Sequence, residues 1–279
     1  MFLLEITWTV DPAIFTIGPK EIRWYTLMFI IGFYVGYKIV ERMFKNEQLN
    51  TDWLEPLLSY TFVGTIVGSR LGHCLFYAPA YYLSHPVEIL KVWEGGLASH
   101  GGVIGIIIAI YFFSKRVSHR SMLWAFDKLV TPTGLVAALI RLGNLTNHEI
   151  YGHPTDAPWG FRFIQNLHAW QQGAAPVFSP PSHPTQIYEA LCYLLTFALC
   201  MWLYFKKEAW KKEGFLFGIF MICIFTTRFL IEFIKDTQVD FEANMALNMG
   251  QWLSIPFIIT GIYFVWRAMQ KSKEKIQKT

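Results

Sequence analysis

Seven long apolar stretches joined by charged connections constrain this chain more than any other feature. They cover about 22–40, 55–77, 98–114, 122–143, 185–205, 214–234 and 249–268, and about 20 apolar residues suffice for a helix to cross a bilayer core. The chain is 53% hydrophobic and only 16% charged, where a typical soluble domain carries about 25% charge. The expected fold class is an all-α integral membrane protein with seven transmembrane helices, a single polytopic domain over residues 1–279. The start, Met1 to Lys20, holds Glu5 and Asp11 and lacks a basic segment ahead of an apolar core, so no cleavable signal peptide is expected.

Basic residues alternate between the connections. The first holds Lys38, Arg42 and Lys45, the third Lys115, Arg116 and Arg120, and the fifth Lys206, Lys207, Lys211 and Lys212. The end of the chain adds Arg267, Lys271, Lys273, Lys275 and Lys278. The connections between them are poorer, with Lys91, Arg162 and Lys235. Lys and Arg accumulate on the cytoplasmic side, so the N-terminus is expected outside and the C-terminus in the cytoplasm. The basic tail, about 269–279, is expected to meet anionic lipid head groups.

The fourth connection, about 145–184, is a long outside loop with six prolines, Trp159 and Trp170. Such a loop reads either as a lid or binding arm or as a solvated connector; the tryptophans read equally as interface anchors. Gly32 with Gly36, Gly64 with Gly68, Gly68 with Gly72 and Gly101 with Gly105 have the spacing of close helix packing. Cys74, Cys192, Cys200 and Cys223 all fall in apolar segments and read as small core residues, not as a disulfide frame or zinc set. There is no metal-ligand cluster and no nucleotide-binding loop, so no metal, no cofactor and no nucleic-acid partner are expected.

Two arginines lie inside apolar stretches, Arg141 and Arg228. A charge at the bilayer centre costs roughly 2.5 to 17 kcal/mol, which makes such residues candidates for function. Asn144 follows Arg141 and Glu232 follows Arg228 at helical spacing. The topology puts Tyr25, Arg70, His73, His100, Arg141, Asn144, Arg228 and Glu232 at one depth, toward the outside, as a cavity for an anion would. Each also has a plain reading. Arg228 and Glu232 can be a neutralising pair, Arg141 and Asn144 a helix end against lipid phosphate, Arg70 a snorkelling side chain, and His100 an interfacial histidine. Gly101 and Gly102 after His100 let backbone or substrate approach closely, and with Arg70 they join the candidate substrate-binding set.

At these residues the chain resembles the bacterial prolipoprotein diacylglyceryl transferases. The resemblance runs through Arg23-Trp24-Tyr25, Gly68-Ser69-Arg70-Leu71 and Trp93-Glu94-Gly95-Gly96-Leu97-Ala98-Ser99-His100-Gly101-Gly102. It continues through Arg141-Leu142-Gly143-Asn144-Leu145-Thr146-Asn147-His148-Glu149-Ile150-Tyr151-Gly152 and His183-Pro184-Thr185-Gln186-Ile187-Tyr188-Glu189. It ends with Arg228-Phe229-Leu230-Ile231-Glu232-Phe233 and the stretch from Met249 to Pro256. The resemblance implies a multi-pass enzyme of the bacterial inner membrane whose active site faces the outer leaflet. Such an enzyme moves the diacylglyceryl group of phosphatidylglycerol onto the lipobox cysteine of a preprolipoprotein, with membrane lipids and the signal peptide as partners. By motif position it implies functional roles for Tyr25, His100, Arg141, Asn144, Glu149, Gly152, Arg228 and Glu232. It implies none for His148, His153 or His168.

The residues fit that chemistry. Thiolate, not thiol, attacks carbon, and His100 is a candidate base; alternatively the arginine field alone acidifies the thiol. Arg141 and Arg228 suit a departing phosphate, which guanidinium binds in two-pronged fashion, with Asn144 as a further donor. Glu149 and Glu232 are expected to hold the arginines, Tyr25 to bond the head group or ester, and Gly152 to allow close backbone passage. A transporter for an anion would show repeats and charges near the midplane, and neither is present. A non-catalytic lipid scaffold would not need His100 beside two arginines.

Overall fold

The computed structural model describes residues 6–18, 20–92, 95–235 and 246–277. Glu5, Trp93, Glu94 and Lys278, used above, lie outside them. The elements in order are β1 (Ile6–Thr7), β2 (Ala13–Ile17), β3 (Lys20–Arg23), α1 (Trp24–Asn46), α2 (Leu54–Phe76), α3 (Pro79–Ser84), α4 (Ser99–Phe113), α5 (Met122–Thr146), β4 (Phe161–Arg162), α6 (Leu167–Gln171), α7 (Thr185–Lys206), α8 (Phe215–Ile231) and α9 (Met249–Gln277). Each of the seven apolar stretches becomes a helix. Five, α4 with its continuation to Ser118, α5, α7, α8 with its continuation to Ile234, and α9, are long and apolar enough to cross a membrane. The 23-residue helices α1 and α2 are as long but do not join that set: α1 carries Lys38, Glu41, Arg42 and Lys45, and α2 carries Glu55, Pro56, Arg70 and three glycines.

The contacts divide the chain into two compact units, one of Met1–Gly36 with Val130–Thr279, the other of Tyr37–Leu129. In the second unit α2 packs on α4 along a seam of glycines. A methyl group at Gly64 would lie 2.7 Å from the Gly105 carbonyl, and one at Gly72 would lie 2.6 Å from the Gly101 Cα. The backbones touch because nothing else fits between them, as the spacing predicts. A groove of about 670 Å³ follows this seam, walled by Val63, Val67, Leu71, Leu75, Ile104 and Ile108. Below it, Val40, Phe44, Leu54, Leu57, Ile110, Phe113 and Trp124 form the unit's core. Beside this core Lys128 and Glu47 form an ion pair with both side chains buried.

In the first unit α7, α8 and α9 pack in sequence order, with Gly218 and Gly261 back to back: a methyl group on either would lie within 2.8 Å of the other's carbonyl. The loop after α5 is a folded cap. β1 pairs in parallel with β4, Ile6 against Phe161 and Thr7 against Arg162, while β2 and β3 form an antiparallel hairpin. Leu145, Phe161 and Phe163 form a small core with Trp8, Tyr151 and Ile187. Trp8 Nε1 donates to the Leu145 carbonyl at 3.0 Å, and Trp159 Nε1 donates to the Tyr188 hydroxyl at 2.7 Å. The strands depart from a purely helical expectation. They are two to five residues long, too short for an alternating pattern to register.

His148 pins the cap. It is buried, its Nε2 donating to the Val10 carbonyl at 2.9 Å and its Nδ1 accepting from the Ile164 N–H at 3.0 Å. The Ile164 bond requires the neutral ring, since protonation removes the Nδ1 lone pair that accepts it, and burial pushes the His148 pKa below the ordinary value of 6.5. A histidine kept neutral in the folded state gives its full stabilisation above the unfolded pKa and loses it as pH falls below that value. Amide exchange at Ile164, corrected for intrinsic rates, is therefore expected to accelerate between about pH 7 and pH 5, and His148→Phe is expected to remove the dependence. Equal protection in the wild type across that range would refute the assignment.

Candidate functional site

The segment leaving α5 carries the densest polar chemistry. Arg141 Nε lies 2.8 Å from Glu189 Oε2 of α7, off the N–H axis, as an ion pair rather than an aligned hydrogen bond. Arg141 Nη1 donates to Asn144 Oδ1 at 3.2 Å, and Asn144 Nδ2 donates to Glu149 Oε1 at 2.8 Å. Tyr193 lies in the fields of Glu189, Arg141 and Arg228, which links the two arginines to one neighbourhood. Tyr25 packs on the same segment: a methyl group at Gly143 would sit 2.7 Å from its ring.

The backbone of the segment is clamped from α7. Thr185 Oγ1 donates to the Ile150 carbonyl at 2.8 Å and Gln186 Nε2 donates to the Glu149 carbonyl at 2.6 Å. Ile150 has φ of 61°, a left-handed conformation that costs a β-branched residue most. The clamp holds this strain in place, a common condition near functional sites. Gly152 follows, where the Ile234 carbonyl and the Thr185 methyl leave no room for a side chain. Close backbone passage at Gly152 was the expectation for it.

Two expected carboxylate roles come out differently. The carboxylate paired with Arg141 is Glu189; Glu149 reaches Arg141 only through Asn144. Among the described residues Arg228 and Glu232 form no ion pair, and the Glu232 carboxylate lies on Gly250, where a methyl group would be 2.7 Å from its Cδ. Helix α8 ends at Ile231, yet the Glu232 N–H still donates to the Arg228 carbonyl four residues back, so the two stay in helical register and part only because the Glu232 carboxylate turns to Gly250. Arg228 is left exposed at the last turn of α8.

In the other unit, Arg70 is buried and spent on backbone carbonyls. Nε donates to Ile89 at 3.0 Å, Nη2 to Glu88 at 2.6 Å and Nη1 to Gly95 at 2.7 Å. It holds the carbonyls of Glu88, Ile89 and Gly95 at the end of α2 instead of offering donors to a substrate. Gly101 and Gly102 are likewise taken up by packing, Gly101 on Gly72 and Gly102 on the Ser69 hydroxyl. His100 is exposed in the first turn of α4, with Phe76 at 5.2 Å and Tyr77 at 5.9 Å between ring centroids.

Sequence reasoning missed Glu189 and Lys235 as site residues. Lys235 Nζ donates to Glu189 Oε1 at 2.8 Å. The available signal was the one that found the arginines: Glu189 is a charge inside an apolar stretch.

The apolar helices give a multi-pass helical membrane protein, with a candidate site of clustered charges where its helices end. Comparison with known proteins makes this specific. The family model for prolipoprotein diacylglyceryl transferase matches residues 12–267, and the chain belongs to that family. It is 53% identical over 271 residues to the phosphatidylglycerol–prolipoprotein diacylglyceryl transferase of Porphyromonas gingivalis, covering 95% of each chain. It is 42% identical over 274 residues to the protein of that name from Chloroherpeton thalassium, covering 98% of this chain and 97% of the other. The Tolumonas auensis protein of that name is 42% identical over 268 residues, covering 96% of this chain and 98% of the other.

Proposed function

We propose that the chain transfers the diacylglyceryl group of phosphatidylglycerol to the lipobox cysteine of a preprolipoprotein; its relatives' names give the lipid donor and the prolipoprotein acceptor. The observation that carries the mechanism is Arg141, oriented by Glu189 and Asn144 with Arg228 in the same neighbourhood. In the reaction the cysteine sulfur attacks the terminal glyceryl carbon, the carbon–oxygen bond to phosphate breaks, and glycerol phosphate leaves with the electron pair. Arg141 and Arg228 neutralise that leaving group. Tyr25, set against Gly143, donates to the head group or ester. His100 takes the thiol proton, unless the arginine field alone lowers the thiol pKa far enough.

In this reading α1 and α2 complete a set of seven spans in the inner membrane. The N-terminus and cap lie outside, the tail lies in the cytoplasm, and the site opens to the outer leaflet. Alternating basic connections support that orientation. The apolar groove along α2 and α4 suits a lipid chain.

The test is incubation of purified protein in detergent with phosphatidylglycerol and a lipobox peptide. A mass gain of one diacylglyceryl unit on the cysteine is expected, and a peptide of unchanged mass refutes the proposal. Run across pH with His100→Asn, the same assay separates base from field: an unchanged profile and turnover assign deprotonation to the arginines.

A further inference from the structure

Lys235 takes no part in the steps above, yet it is a buried cation only 7% exposed. Its ammonium shares the fully buried Glu189 with Arg141, each at 2.8 Å, one on each carboxylate oxygen. The two cations come from different segments. Arg141 lies on α5, while Lys235 follows the 3₁₀ turn that extends α8, the helix of Arg228. The backbones are joined at the same place: Lys235 bridges Gly152 in antiparallel fashion, and the His153 N–H donates to the Ile234 carbonyl at 2.9 Å. The end of α8 is therefore tied to the exit of α5 by main chain and by charge, with α7 supplying the carboxylate.

The charge count matters as well. Glu189 with Arg141 alone would be neutral and would offer an incoming anion little. Two cations on one carboxylate leave Arg141, Lys235 and Glu189 with one net positive charge among them, before the Glu149 carboxylate beyond Asn144 is counted. Burying a carboxylate in such a place also demands compensation, since an unpaired buried charge is far costlier than a paired one.

We infer that Lys235 is a positioning residue: by sharing Glu189 with Arg141 it braces the Arg228-bearing end of α8 against the exit of α5 and keeps the cluster cationic for the phosphate. The inference rests on the reading that both arginines serve the leaving phosphate. The alternative is that Lys235 merely neutralises Glu189, so that the two can be removed together.

The experiment compares wild type, Lys235→Arg, Lys235→Met, Glu189→Gln and the Lys235→Met/Glu189→Gln double variant in detergent. Initial rates are measured against phosphatidylglycerol concentration with a lipobox peptide, alongside thermal unfolding. A brace predicts that Lys235→Met lowers kcat by about tenfold or more, since small misplacements at a reacting centre are costly. It also predicts a raised KM for the lipid, activity within about threefold of wild type for Lys235→Arg, and a double variant that unfolds normally but stays impaired. Should Lys235→Met fail to fold, the double variant, which removes the buried ammonium and carboxylate together and leaves the partly exposed Arg141 as the one charge of the three, decides the matter. Near wild-type kinetics in Lys235→Met or in the double variant overturns the brace. A wild type that lipidates no peptide overturns the transferase reading, and the inference with it.

Discussion

Arg141→Lys is expected to lower kcat/KM for peptide lipidation by about 10²–10³-fold, the cost of losing one well-aimed donor to a developing anion. The geometry says why lysine cannot substitute. Arg141 spends Nε on Glu189 and Nη1 on Asn144 Oδ1, which fixes the plane of the guanidinium and leaves the other donors at defined angles. Its side chain is 23% exposed while Glu189 is 1% exposed, so one side is anchored and the other is open. A lysine ammonium is a single point with rotatable donors. It can satisfy Glu189 or approach a phosphate, but cannot hold a fork toward both. Arg228→Lys is expected to lose less, because no carboxylate among the described residues orients Arg228 and the positive charge itself is retained. Initial rates with both variants, at matched thermal stability, check this. Full activity in both would remove the phosphate assignment, and a larger loss at Arg228 would reverse the ranking.

The helices were legible because each is an apolar run of the length a bilayer demands, a signal that survives without knowledge of any contact. The cap was not, because its pairing is non-local. Ile6 meets Phe161 and Trp8 meets the Leu145 carbonyl, contacts that no window of sequence contains. His148 illustrates the same limit. Its neighbours in sequence give no reason for burial, and its role is set by Val10 and Ile164.

The site divides in a similar way. Arg141, Asn144 and Gly152 were legible, since a charge in an apolar stretch, an amide beside it and a glycine at a tight crossing are local facts. The carboxylates were misplaced because closeness in sequence stood in for closeness in space. Glu149 is near Arg141 in the chain, but the partner comes from α7. Glu232 has helical spacing from Arg228, but its carboxylate turns to Gly250 of α9. Arg70 was read as a donor to substrate because nothing in the sequence shows that the carbonyls of Glu88, Ile89 and Gly95 come back to consume its hydrogen bonds.

Glycine spacing, finally, predicts the same thing at two places where geometry predicts opposite outcomes, and this gives the second large effect. Gly32 and Gly36 of α1 match the small-xxx-small pattern as well as Gly64, Gly68, Gly101 and Gly105 do. At Gly36, however, an added methyl would lie 3.7 Å from the Val136 side chain and 3.8 Å from Pro132, which is ordinary contact. At Gly105 it would fall on the Gly64 carbonyl and within 2.8 Å of the Gly68 Cα, so that only separating the helices makes room. Gly36→Ala is therefore expected to change stability by no more than about 0.5 kcal/mol, as a tolerated helix substitution. Gly105→Ala is expected to lose about 1–3 kcal/mol through overpacking, and Gly105→Leu to yield no folded protein, since the larger side chain meets the Gly64 carbonyl and the Gly68 backbone at the seam. Thermal unfolding in detergent reads all three. Equal melting temperatures for Gly36→Ala and Gly105→Ala would mean that the α2–α4 contact is looser than the carbonyl positions require.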